Sequence, residues 1–188
     1  MSVVGKLRRR CRLRGQAGYS MLELLMVMVI LGTVIGAVTT LFVQASNAEF
    51  DMNRRFQAQQ AARLAIDRMR REIHCASAIT PTGASSSISV TMPAGCPLSG
   101  GTTVTYDMNQ IVAGQRYTLR RKVETPIAGP PVVLADYSTL QNAFNYTAPV
   151  LGVSLGKLTV TLPINTKPSQ PGKQWKLVAD MVLRNTTR

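Results

Sequence analysis

Acidic residues are scarce in this chain: 9 Asp and Glu stand against 22 Lys and Arg, for a formal net charge of +13 over 188 residues. Aromatics are scarce too, at 5%, which argues against a base-stacking surface for single-stranded nucleic acid. One histidine and three cysteines leave little material for metal chemistry. His74, Cys75 and Cys96 show no CxxC or HxxxH spacing, so neither a metal nor a cofactor is expected. HExxH, GxSxG and a phosphate-binding glycine loop are all missing. His74 has no constellation of Ser or carboxylate around it beyond its neighbour Cys75. A structural role at a helix end is therefore expected for it, and no enzymatic site. What is present is a chain with 45% hydrophobic residues, enough for a packed core, and a length that suits one domain with an appended segment.

The positive charge suggests an anionic partner, but it is unevenly placed. Lys6, Arg8, Arg9, Arg10, Arg12 and Arg14 all precede Gly18, with no acidic residue among them. Loss of residues 1–18 would remove these six and lower the charge from +13 to +7. Cys11 would leave with them, so Cys75 and Cys96 form the one remaining pair. Closing the loop between these two is worth about 3 kcal/mol in an oxidising compartment, and a disulfide is expected.

Met21 to Val43 is apolar except for Glu23 and three threonines, with Gly32 and Gly36 as its small residues. As a helix this run spans about 34 Å, enough for a bilayer core of roughly 30 Å. The basic flank predicts a cytoplasmic N-terminus and an extracytoplasmic remainder. Gln44 to Ala78 contains neither Gly nor Pro and turns amphipathic. Met52, Phe56, Ala62, Ile66, Met69 and Ile73 fall on one helical face. Arg63–Asp67, Asp67–Arg71 and Arg68–Glu72 are spaced as ion pairs on a solvated side. Pro81 and Gly83 end the helix, which would run about 90 Å if unbroken from Tyr19 to Ala78.

Beyond Thr80 the pattern is β. Ser87–Met92, Thr102–Met108, Gln115–Val123, Lys157–Pro163 and Trp175–Arg184 read as strands separated by Pro- and Gly-rich turns. Val132–Leu134 and Ala143–Tyr146 could each add a short strand. The expected class is α+β: one long N-terminal helix followed by an antiparallel β domain. The chain divides into a leader (1–18), a transmembrane helix (19–43), an amphipathic helix (44–80) and an extracytoplasmic β domain (81–188).

Glu23 is the anomaly, because a carboxylate in hydrocarbon costs roughly 2.5–3.5 kcal/mol on insertion scales. A secretory signal peptide cut after Ser46-Asn47-Ala48 would give a mature start at Glu49, but the apolar run is long for an h-region and contains Glu23. A plain signal anchor explains the basic flank and the length but not the glutamate. The stretch Gly18-Tyr19-Ser20-Met21-Leu22-Glu23, followed by the apolar run, resembles the class III signal of type IV prepilins and type II secretion pseudopilins. That family has a short basic leader ending in Gly, cleavage on the cytoplasmic side, and Glu at the fifth mature residue. The resemblance implies a pilin-like fold and cleavage between Gly18 and Tyr19 by a prepilin peptidase, which would N-methylate the Tyr19 amine. The family usually places Phe or Met at that first position, and Tyr19 departs from it.

The same resemblance implies that Glu23 pairs with the N-terminal ammonium of a neighbouring subunit. A buried charge without a partner is strongly unfavourable, so Glu23 would pin axial register, while Gly32 and Gly36 would permit close helix packing. Snorkelling of Glu23 to the headgroups stays open as the ordinary alternative. Thr103–Tyr106, Tyr117–Arg121, Phe144–Tyr146 and Val182–Asn185 are similar to segments of larger minor pilins and the J-type minor pseudopilin. A structural subunit, minor or tip-located, of a pilus or secretion pseudopilus is the function this implies. The membrane, the peptidase and other pilins are its partners. Two alternatives stand beside it: a membrane-anchored binding domain that never polymerises, and a competence pseudopilin with weak phosphate contacts. The Arg120-Arg121-Lys122 cluster reads as a solvated face rather than a DNA site.

Overall fold

The structure, a computed structural model, describes residues 18–93, 96, 102–112, 115–125, 127–150 and 152–184. The leader with Cys11, and Asn185 of the closing strand motif, lie outside the described residues. The chain divides into two units, Met1–Ala48 and Glu49–Arg188. Helix α1 (Met21–Cys75) contributes to both.

In the first unit α1 is long and apolar enough to cross a membrane, and its apolar side chains are exposed. Its three threonines do not carry free hydroxyls into that stretch. Thr33 donates to the Ile30 carbonyl, Thr39 to Ile35 and Thr40 to Ala37, each at 2.8 Å. A polar group bonded within its own helix avoids most of the penalty for burial in hydrocarbon.

In the second unit α1 buries Ala58, Ala62, Ala65, Ile66, Met69, Glu72 and Ile73. This stripe differs from the expected one at its start. Met52 and Phe56 are 71% and 64% exposed, because the inward face there is held by Asp51 and Arg55, bonded to each other at 2.7 Å. The helix also ends at Cys75, so Ala78–Thr80, expected as its last turn, forms strand β1. Ile79 is buried there, and the segment pairs antiparallel with β3 (Ser87–Thr91). β-branched Ile79 and Thr80 suit that pleated surface better than a helix end.

The remaining strands are β2 (Gly83–Ser85), β4 (Thr103–Val112), β5 (Arg116–Thr125), β6 (Val132–Ser138), β7 (Phe144–Thr147), β8 (Lys157–Ile164) and β9 (Trp175–Val182). All pair antiparallel in the order β1-β3-β4-β5-β6-β8-β7-β2, with β9 on β8. Both short segments that the sequence left open are strands. The alternation that marked β4 is real: Val104, Tyr106 and Met108 face the core, with the residues between them turned outward. Ile88, Leu119, Leu158, Val160, Leu162 and Met181 complete the core against the α1 stripe.

Two charged residues, Glu72 and Arg121, are buried here among the described residues. Glu72 is 1% exposed and accepts hydrogen bonds from the Tyr106 hydroxyl and from Arg121, whose Nε and Nη2 lie 3.0 Å from Oε1. Burial, then the Glu72 charge, pushes the Tyr106 phenol far above its ordinary value, so it remains a donor. Two sequence expectations are corrected here. Glu72 is not on a solvated helix side, although Arg68 does approach it at 3.6 Å. Arg121, 5% exposed, is not on a solvated face. Inward positions of β5 alternate, so of three consecutive cations only the middle one turns to the core.

Cys75, the last residue of α1, is bonded to Cys96, with Cα atoms 6.1 Å apart. Intact mass should fall by two hydrogens relative to the reduced chain, and equal masses would refute the bond. Arg121→Ala should lower unfolding free energy by about 3–5 kcal/mol, because it leaves Glu72 buried without its cation. The pair Glu72→Leu with Arg121→Met should recover most of that loss in urea titrations.

Candidate functional site

Gly18, Tyr19 and Ser20 precede the helix, and Tyr19 is 80% exposed. The Ser20 carbonyl accepts hydrogen bonds from the Glu23 N–H at 3.0 Å and the Leu24 N–H at 3.1 Å. Ser20 is thus the N-cap and α1 starts at Met21. The expectation that Tyr19 and Glu23 lie within one continuous helix is corrected: Tyr19 stands outside the first turn. Serine favours this because it is a preferred residue at a cap.

The cap places Glu23 at the third helical position, the spacing of a capping box, Ser-x-x-Glu. A carboxylate there also faces the positive end of the helix dipole, an effect of about 0.3–1 kcal/mol. Local helix chemistry therefore supplies a reason for Glu23 that the apolar pattern alone did not reveal.

The ion pairs set Glu23 apart. Asp51 lies 2.7 Å from Arg55 and 3.2 Å from Lys167. Asp67 pairs with Arg70 at 3.7 Å, Glu124 with Lys122 at 3.0 Å and Asp180 with Lys157 at 2.6 Å. Asp107 pairs with Arg120, Asp136 with Arg116, and Glu72 with Arg121. Among the described residues, Glu23 and Glu49 are the acidic side chains outside any such pair. The pairs also account for the basic cluster on β5, since Arg120, Arg121 and Lys122 each face a carboxylate.

Gly32 and Gly36 lie one turn apart on α1, and a Cβ added at either would meet nothing within 4 Å. Among the described residues nothing requires glycine at these two positions. His74 is half-buried. Burial, with the Arg184 and Arg70 charges behind it, lowers its pKa, which keeps it neutral near pH 7. Its neighbour Cys75 is engaged with Cys96.

Residues 13–39 match the prokaryotic N-terminal methylation motif. The chain carries the N-terminal signal of the type IV pilin and pseudopilin family. That signal supports a pilin- or pseudopilin-type subunit processed by a prepilin peptidase. The match takes in Gly18, Tyr19, Glu23, Gly32 and Gly36 with the last six residues before Tyr19, and stops before the β domain. No curated protein and no solved structure matches this chain.

Burial raises the Asp136 carboxyl, but the Arg116 guanidinium and the Tyr137 N–H more than reverse this and hold it below the usual carboxylate range. A lowered carboxylate pKa adds stability that is present above the unfolded value and lost as pH falls through the folded one. The urea midpoint should therefore hold steady from about pH 7 to 5 and fall below about pH 4. Asp136→Asn should flatten part of that fall, and an unchanged profile would show that the Arg116 pair adds nothing.

Proposed function

We propose that this chain is a minor, tip or initiating subunit of a type IV pilus or type II secretion pseudopilus. Cleavage falls between Gly18 and Tyr19, and the new Tyr19 amine is N-methylated. Residues 19–43 anchor the subunit before assembly, with the N-terminus cytoplasmic and the β domain outside, and afterwards pack in the filament core. Gly32 and Gly36 admit neighbouring helices closely, which suits two positions where a Cβ would be unhindered within the chain. Its role is structural, without catalysis.

The observation that carries this reading is the isolation of Glu23. Every acidic residue of the β domain has a cation of its own chain, whereas Glu23 has none among the described residues. In an apolar helical core such a carboxylate needs a cation from elsewhere. The Tyr19 ammonium of a neighbour, created by the cut, supplies one. A DNA-uptake role gains no such support, because the Arg120-Arg121-Lys122 cluster is neutralised within the fold.

The capping-box spacing of Ser20 and Glu23 favours a second reading, a membrane-anchored domain that does not polymerise and uses Glu23 only to begin α1. Glu23→Gln separates the two, since Gln also serves in a capping box but carries no charge. Normal membrane levels with loss from sheared filaments support the register role; full incorporation of the Gln variant removes it. Mass spectrometry of the mature protein should find N-methyl-Tyr19 as the first residue. A first residue at Glu49 would instead make this a conventionally secreted protein.

A further inference from the structure

Strand β9 ends the sheet on one side. It pairs with β8 alone among the described strands, over Lys157↔Val182 to Ile164↔Trp175. The direction of its backbone groups follows from one hydrogen bond, Leu183 N–H to the Gly156 carbonyl at 2.9 Å. In an antiparallel pair, bonded and non-bonded positions alternate. Leu183, Met181, Ala179 and Leu177 therefore turn their N–H and C=O groups toward β8. Lys176, Val178, Asp180 and Val182 turn theirs to the open edge. Pro163 opposite Lys176 agrees with this, since a residue without an N–H fits only a non-bonded position.

The side chains of these four residues are exposed, and Val178 is 52% accessible. An open, partly apolar edge of this length is a template for an added strand. Natural edges are commonly blunted by bulges or proline, and β9 contains neither between Trp175 and Val182.

Cations outnumber carboxylates beside this edge. Arg63 of α1 lies over the Trp175 ring at 5.5 Å, which brings the helix face to the start of β9. At the other end, Arg184 follows β9 two residues beyond Val182 and is exposed. Lys173, Lys176 and Arg184 are exposed, and none has a carboxylate within ion-pair distance among the described residues. The local acidic groups, Asp67 and Asp180, are already paired with Arg70 and Lys157.

We propose that β9 is a docking edge for a partner protein, which adds an extended segment rich in acidic side chains as a further strand. Backbone groups of Lys176, Val178, Asp180 and Val182 supply the pairing, and the flanking cations select acidic side chains. A second copy of this chain fits poorly, because its own β-domain carboxylates are held in internal pairs and its charge is of the same sign. The partner is therefore a different protein, and like-charge contact disfavours self-pairing.

The test uses the processed full chain in detergent micelles and a peptide of alternating Thr and Glu, matched to the eight residues of β9. Amide exchange should slow at Lys176, Val178, Asp180 and Val182 on peptide addition, with no change at Leu177, Ala179 and Met181. The Thr–Lys peptide should have no effect. Val178→Pro removes an outward N–H without touching a β8 bond, and should weaken binding at least roughly tenfold while leaving β8 amides protected. Three results would overturn the proposal: no protection with the Glu peptide, equal protection with the Lys peptide, or edge protection that rises with protein concentration alone. Tighter binding of single-stranded oligothymidylate without amide protection would also overturn it, and would mark the row as a phosphate surface. None of these outcomes depends on filament assembly, so they stand apart from the Glu23 result.

Discussion

The ion pair between Glu72 and Arg121, with the Tyr106 hydroxyl beside it, ties α1 to the middle of the sheet. A carboxylate at 1% exposure is tolerable only where cation and donors meet it with good geometry. That requirement couples three elements that packing alone would leave free to slide. Glu72 selects a rotation of α1 in which Met69 and Ile73 also face inward, and Tyr106 and Arg121 select the register of β4 against β5, where they are direct partners. Apolar residues of similar volume would give comparable stability but a weaker demand for one alignment.

The disulfide and the end of the helix act on the same region. Cys75 closes α1 and fixes the segment around Cys96 to it. Ala76 and Ile79 follow at once as buried residues, and the chain enters β1 without a further helical turn. The second unit is thereby held through its core charge, its apolar stripe and one covalent link, all drawn from residues 58–75 of the helix. The apolar first half of the same helix has none of these, and its side chains await a membrane or neighbouring helices.

A shortage of acidic residues gives the charge pattern its meaning. With 9 carboxylates for 22 cations, internal pairing neutralises those of the β domain and leaves an excess of positive charge on the surface. Against that background Glu23, with no ion-pair partner among the described residues, is a departure in an apolar helix, and a row of cations beside an open strand edge is a surface with a preference. Both follow from one balance sheet of charges, read in one case by what lacks a partner within the chain and in the other by what a partner would have to bring.

Much of this was legible in the sequence. The order of charge, glycine, glutamate and apolar run identified the signal because each part is local and lies within a few residues of the next. The long helix was legible because no Gly or Pro interrupts it, and the main strands because their side chains alternate. The burial of Glu72 and Arg121 was not: forty-nine residues separate them, and only the folded sheet brings them together. The exposure of Met52 and Phe56 was also hidden, since hydrophobic spacing cannot say where along a helix the sheet begins to cover it. The cap at Ser20 and the outward edge of β9 depend on which backbone groups are already bonded, a property of the fold rather than of residue type. The sequence by itself determined the signal, the helix and the strands, since these rest on neighbours in the chain. Only the tertiary structure decided which charges are buried, which are paired and which edge is open, since those depend on contacts between distant residues.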